Sequence, residues 1–204
     1  MGRGARLTFT ALPATALVKL LVFPHSLTLA WDIDGTLITH EAADAPHPAC
    51  EHSWASSSSR GRVYSFWRRP YAQHVLKVLS WANEQHIFTA ATRPYADSIV
   101  DSLYPGFFAG RLYRDALSSG VCGKDLTRLG TPLSRTLLID DQARNRVGSQ
   151  LFLLVPKYER QAGAPDDTVL LAVAAIVLAH NLVGPAAFDA VRWLNAAPSS
   201  PRML

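Results

Sequence analysis

Residues 27–37 read Leu27-Thr28-Leu29-Ala30-Trp31-Asp32-Ile33-Asp34-Gly35-Thr36-Leu37. A short apolar run stops at two acids separated by one residue, and a glycine follows. Such a run, bounded by turn residues, suits a buried strand of a parallel sheet. Gly35 permits a sharp turn at its end. Side chains alternate along an extended chain, so Asp32 and Asp34 leave on the same side if extension continues. Two neighbouring carboxylates raise each other's proton affinity unless a cation intervenes. A hard divalent ion such as Mg²⁺ resolves that conflict. One carboxylate can then act as nucleophile and the other as general acid or base.

Working outward, the same pattern recurs at 136–141, where Thr136-Leu137-Leu138-Ile139 runs into Asp140-Asp141. Between and beyond lie further elements. Val63–Trp67 is β-prone. Pro70 opens a predicted helix reaching Gln85, with apolar residues near helical spacing. His86–Ala90 reads as a strand, Tyr95–Leu103 as a helix and Gly110–Arg114 as a short strand. Residues 126–130 read as a helical turn closed by Gly130. Leu151–Val155 is another strand, and Pro165-Asp166-Asp167 caps a helix running to Val183. Strands alternating with helices predict an α/β fold, a central parallel sheet with helices on both faces. In open sheets of this kind the ligand crevice lies off the carboxyl ends of the strands. Both acidic pairs are directed there.

Composition bounds the rest. The chain has 204 residues, 49% hydrophobic and 18% charged, which suits one folded domain rather than a disordered chain or coiled coil. The only cysteines, Cys50 and Cys122, form no CxxC pair, which excludes a disulfide scaffold and favours a reducing compartment. Of the net charge of +4, three charges come from Arg3, Arg6 and Lys19, because residues 1–31 contain no acid before Asp32. The remainder is close to neutral, so no direct nucleic-acid binding is expected. No transmembrane span is expected either: the apolar run 169–179 is interrupted at His180 and Asn181, well short of the length a spanning helix needs. Residues 1–26 form a basic, acid-free lead whose composition suits an organelle-targeting segment. Residues 41–62 are rich in Pro, His and Ser and read as a loop. His40, His47, Cys50 and His52 lie close within it, but their spacing matches no standard zinc site. The helix 168–183 is apolar nearly all round, a pattern that predicts burial on all sides, by the tail Pro185–Leu194 or by a protein partner.

The first motif resembles that of the haloacid dehalogenase superfamily. Arg69-Pro70, Phe88-Thr89-Ala90-Ala91, Tyr95-Ala96-Asp97, Arg111 to Asp115, Lys124-Asp125-Leu126, Leu129-Gly130 and Leu138 to Asp141 follow in order. Together they resemble the FCP1-homology branch, which holds the small phosphatases of the RNA polymerase II carboxy-terminal domain and a mitochondrial translocase receptor. The resemblance spans 27–183 as a HAD-like Rossmannoid domain without a large cap, leaving 1–26 and 184–204 as extension and tail. It implies Asp32 as the nucleophile that becomes aspartyl-phosphate. It implies Asp34 as general acid, then base. Thr89, with Ala90 and Lys124, would hold the phosphate. Mg²⁺ would be bound by Asp32, the backbone carbonyl of Asp34, Asp140 and Asp141.

The chain departs from that pattern in places. Gly35 replaces a common Glu, Ala91 a small hydroxyl residue, Asp141 a common Asn, and Gln142-Ala143 a Ser-Pro. None removes a required group. The insertion after the first motif is too small for a cap, and an open site suits a phosphorylated side chain on a macromolecule. The expectation is therefore a Mg²⁺-dependent phosphatase acting on phosphoserine or phosphothreonine of a phosphoprotein. It would lie in the nucleus, cytoplasm or mitochondrion. The alternative is a weakly active or inactive member serving as a subunit or receptor of a larger assembly, possible in mitochondria given the acid-free lead.

Overall fold

The computed structural model describes residues 21–42, 56–59, 62–117, 123–160 and 167–186, with only the backbone described for 41, 42, 56–59 and 62–64. The sequence readings made on residues 1–20, His47, Cys50, His52, Cys122 and 187–204 fall outside these residues.

The strand read at 27–31 is β1 (Thr28–Trp31), and it lies at the centre of the sheet. In chain order there follow β2 (Ile38–Ala42), β3 (Ser56–Ser59), β4 (Arg62–Arg68), α1 (Ala72–Leu79), β5 (Glu84–Phe88), α2 (Arg93–Leu103), β6 (Gly110–Leu112), β7 (Thr136–Asp140), β8 (Leu151–Leu154) and α3 (Val169–Val183). Five strands pair in the order β6-β5-β1-β7-β8, every pair parallel. A smaller antiparallel sheet, β2-β4-β3, fills the connection between β1 and α1.

β1 is apolar on both faces because both are covered, as a central parallel strand requires. Leu29 and Trp31 point into the larger cluster with Ile87, Leu137 and Ile139, packed against residues of all three α-helices. Ala30 points the other way, to Phe88, Ala116, Leu126 and Leu138. Helical segments thus cover both faces, but unequally: the second face is closed by the single-turn 3₁₀ segments Arg114–Ala116 and Leu126–Leu129.

Two expectations are corrected. The helix opened by Pro70 ends at Leu79, not Gln85: residues 80–82 turn, and β5 begins at Glu84. Asn83 Oδ1 accepts Leu27 N–H, and Gln85 reaches both Trp31 Nε1 and the Leu76 carbonyl. The stretch 41–62 is not wholly a loop. Its two ends belong to β2 and β4, and the serine run 56–59 pairs with 62–65, so ladder hydrogen bonds override poor strand propensity. α3 buries one face and exposes another among the described residues, and most of the tail expected to cover it lies outside them. Leu170, Val173 and Val177 are buried, whereas Leu171, Leu182 and Val183 are 41%, 54% and 64% exposed. A helix laid on a single layer covers only the stripe facing it, whatever its composition. No described helix is long and apolar enough to cross a membrane.

Candidate active site and metal centre

Register brings the polar residues to one edge. Trp31 is level with Ile87 on β5 and Ile139 on β7. The residues that follow, Asp32, Thr89 and Asp140–Asp141, therefore emerge together at the carboxyl ends of the three central strands. Asp32 N–H still donates to the Ile139 carbonyl at 3.0 Å, so its backbone is held by the sheet.

Lys124 arrives from a loop and is fixed by its backbone. Its N–H donates to the Asn145 carbonyl at 2.8 Å, and its carbonyl accepts Gln150 Nε2 at 2.9 Å. The side chain is wholly buried, and Nζ donates to Asp32 Oδ1 at 2.5 Å and Asp140 Oδ2 at 2.6 Å. Asn145 Nδ2 lies 2.9 Å from both Asp140 oxygens, and Gln142 N–H donates to Oδ1 at 2.8 Å. Asp140 is thus held on every side.

One ammonium is insufficient for the acids gathered here. Oxygen atoms of Asp32, Asp140 and Asp141 lie within 4.8 Å of one another. Burial pushes the Asp32 carboxyl up to about 7 against the pull of Lys124, and Asp140 adds to the rise. Asp141 is also raised, by burial and then by Asp140. Its Oδ1 is buried and accepts no hydrogen bond. An orphaned carboxylate oxygen beside two further carboxylates is a donor set for a hard, oxygen-seeking cation. These residues fit Mg²⁺.

Gly35 closes the far side. Its φ of +82° favours glycine, and a Cβ there would lie 2.5 Å from Asp141 Oδ2. Its carbonyl accepts Tyr158 N–H at 2.6 Å. Arg69, 2% exposed, ties this turn to the domain. Its Nε donates to Asp167 Oδ2 at 2.9 Å, its Nη1 reaches the Thr36 carbonyl at 3.3 Å, and its guanidinium lies over the Tyr158 ring.

Asp34 is not part of the carboxylate cluster. Its Oδ1 accepts Tyr95 Oη at 2.6 Å and lies 3.4 Å from His40 Nδ1. The hydrogen bond to Asp34 raises the His40 pKa above its ordinary value. Extension ends at Trp31, so the two acids of the first motif diverge: Asp32 to Lys124, Asp34 to Tyr95.

Thr89 is buried, and its Oγ1 accepts Ala91 N–H at 3.1 Å. Ala90 is exposed on the same turn. Arg114 clasps that turn, its Nε donating to the Ala90 carbonyl at 2.8 Å and its N–H to the Ala91 carbonyl at 2.9 Å. The structure thus gathers Asp32, Lys124, Asp140 and Asp141 directly and sets Asp34, Thr89 and Ala90 on the adjoining turns. Residue-type reasoning missed Asn145, His40 and Tyr95 as partners of these acids. Asn145 and His40 lie only five and six residues from Asp140 and Asp34, but no residue-type pattern marks them, and Tyr95 reaches Asp34 across 61 residues.

Comparison with known proteins agrees with this architecture. Residues 27–184 match the family model described as NLI interacting factor-like phosphatase. The human carboxy-terminal domain RNA polymerase II polypeptide A small phosphatase 2 is 30% identical over 119 residues, covering 48% of this chain and 44% of the relative. The Caenorhabditis elegans CTD small phosphatase-like protein 1 is 34% identical over 116 residues, 55% of this chain and 23% of the relative. The chain therefore spans less than half the length of these relatives. Among solved structures, that of Fcp1, an essential RNA polymerase II CTD phosphatase, is similar with a TM-score of 0.58 at 21% identity. That likeness covers 92% of this chain and 58% of the other, and it is one of fold. A five-stranded parallel sheet with its acids at the carboxyl edge, matched from first strand to last helix, places the chain in the NLI interacting factor-like phosphatase family.

Proposed function

We propose that the protein is a Mg²⁺-dependent phosphatase that removes phosphate from phosphoserine or phosphothreonine in a protein, through an aspartyl-phosphate on Asp32. The observation that carries this reading is the buried ammonium of Lys124 bridging Asp32 and Asp140, with the orphaned Asp141 oxygen beside them. The family membership supports the reaction class.

A carboxylate attacking a phosphate must overcome repulsion between two anions. Lys124 meets the carboxylate, and its ammonium would also neutralise the transferring oxygens. Asp32, the Asp34 carbonyl, Asp140 and Asp141 would hold the Mg²⁺, which when bound neutralises phosphate charge and keeps Asp32 ionised. The Thr89 oxygen already accepts Ala91 N–H, which leaves its O–H hydrogen for the phosphate. Ala90 completes that turn.

In the first half-reaction an Asp32 oxygen bonds to phosphorus, the bond from phosphorus to the serine oxygen breaks, and Asp34 protonates the departing oxygen. In the second, Asp34 takes a proton from water, the water oxygen attacks phosphorus, and Asp32 is released with inorganic phosphate. Access supports the substrate class. Between β1 and α1 the described residues form a small antiparallel sheet of three strands. An open edge admits a side chain carried on a polypeptide.

The test is hydrolysis of an aryl phosphate and of a phosphoserine peptide by purified protein with Mg²⁺. Asp32→Asn should abolish both, and equal rates in wild type and variant would overturn the reading.

A further inference from the structure

Asp34 is gripped from two elements at one oxygen. Tyr95, on α2, donates to Oδ1 at 2.6 Å, and His40, on β2, brings Nδ1 to 3.4 Å from the same atom. Both rings are seated on Phe66, which is fully buried on β4. Tyr95 meets it edge-on at 5.6 Å between centroids, and His40 meets it tilted at 5.9 Å. The small sheet and α2 thus converge on one carboxylate oxygen through a shared rigid ring.

A carboxylic acid carries its proton on one of two oxygens. Donors fixed at Oδ1 leave Oδ2 to carry it. We propose that Tyr95 and His40 are positioning residues that hold Asp34 with Oδ1 engaged and its acidic proton presented on Oδ2 toward the leaving group. This rests on the reading above, in which Asp34 protonates the departing oxygen. The balance is simple. As the bond from phosphorus to the serine oxygen breaks, that oxygen takes the Oδ2 proton. The carboxylate so formed keeps its two donors at Oδ1, and a water proton later returns to Oδ2.

The two faces of the site then divide the chemistry. The Lys124 side makes the nucleophile, and the Tyr95–His40 side aims the acid. A positioned proton matters only when the leaving group needs one. A serine alkoxide is a poor leaving group and depends on it, whereas nitrophenolate departs unaided. The ratio of kcat/KM for a phosphoserine peptide to that for nitrophenyl phosphate isolates the effect, because kcat/KM reports the step that forms the aspartyl-phosphate.

With Mg²⁺ present, Tyr95→Phe should lower kcat/KM for the peptide about tenfold, a fraction of the full general-acid contribution, and for nitrophenyl phosphate less than about twofold. His40→Ala should move the ratio the same way by a smaller factor. Equal losses on both substrates, as general structural damage produces, would overturn the proposal, and so would no loss on either. If wild type hydrolyses both substrates and Asp32→Asn neither, such a result removes the positioning role alone. If wild type hydrolyses neither, or Asp32→Asn matches it, the phosphatase reading fails and this proposal with it.

Discussion

The Asp141 carboxylate occupies the space that a Cβ on Gly35 would need, with Oδ2 at 2.5 Å from that position. The first motif and the second acidic pair are thereby fitted to each other. A glycine in the left-handed region lets the turn after Asp34 close against an acid of the proposed cation site.

Gly35→Ala should therefore damage the cation site as well as the backbone. A non-glycine residue at this φ costs roughly 1–2 kcal/mol, and the clash displaces Asp141 besides. Calorimetric titration with Mg²⁺ should show weakened binding. Asp141→Ala added to Gly35→Ala should restore part of the lost thermal stability by removing the clash, though not the cation affinity. Unchanged affinity in the single variant would contradict the fit.

Lys124→Met tests the buried charge balance. The variant leaves Asp32 and Asp140 facing each other with no ammonium between them. Removing one partner of a buried ion pair costs about 3–5 kcal/mol. Urea unfolding without Mg²⁺ should show a loss of that order, and added Mg²⁺ should return part of it by binding the folded state. A loss below about 1 kcal/mol would mean that Lys124 does not hold the carboxylates together.

Asn145→Ala acts one step further out. Asn145 Nδ2 contacts both oxygens of Asp140, which is itself fully buried. Residues that orient a metal-ligating group are worth about 10–100-fold in metal affinity. We expect a fall in Mg²⁺ affinity at the low end of that range, because Gln142 N–H and Lys124 still hold Asp140. Equal affinities by titration calorimetry would show that Asn145 serves packing only.

His180 sets an acid limit on stability. It is 4% exposed on α3, and burial holds its pKa below the ordinary value, against the smaller upward pull of a hydrogen bond with the His25 backbone. The folded state therefore binds the proton less readily than the unfolded chain. The stabilisation is complete above the unfolded pKa of about 6.5 and is lost as pH falls through the lower folded value. The thermal midpoint should drop between pH 7 and 5, and His180→Gln should flatten part of that drop. An identical pH profile in the variant would remove His180 as the cause.

Much of this could be read along the chain. An apolar run ending in Asp32, a second ending in Asp140-Asp141, and helical spacing between them were enough for the α/β class and the edge at which the acids gather. Side-chain period and hydrophobic burial are local properties, written residue by residue. Other features depended on pairing. Whether Asn83 and Gln85 continue a helix or leave it depends on Leu27, Trp31 and Leu76, residues distant or on another element. Whether Ser56–Ser59 is loop or strand depends on 62–65.

The sequence alone determined which residues are the candidates for chemistry: acids after strands and, through the family resemblance, a lysine in a KDL setting and a threonine after β5. Only the tertiary structure decided how they divide. It sent Asp32 to Lys124 and Asp34 to Tyr95, fitted Gly35 to Asp141, and left one face of α3 exposed among the described residues. The physical reason is range. Strand and helix preferences are set by neighbours a few residues away, whereas a carboxylate's partner is whichever donor the fold brings within about 3 Å, here across as many as 98 residues of chain.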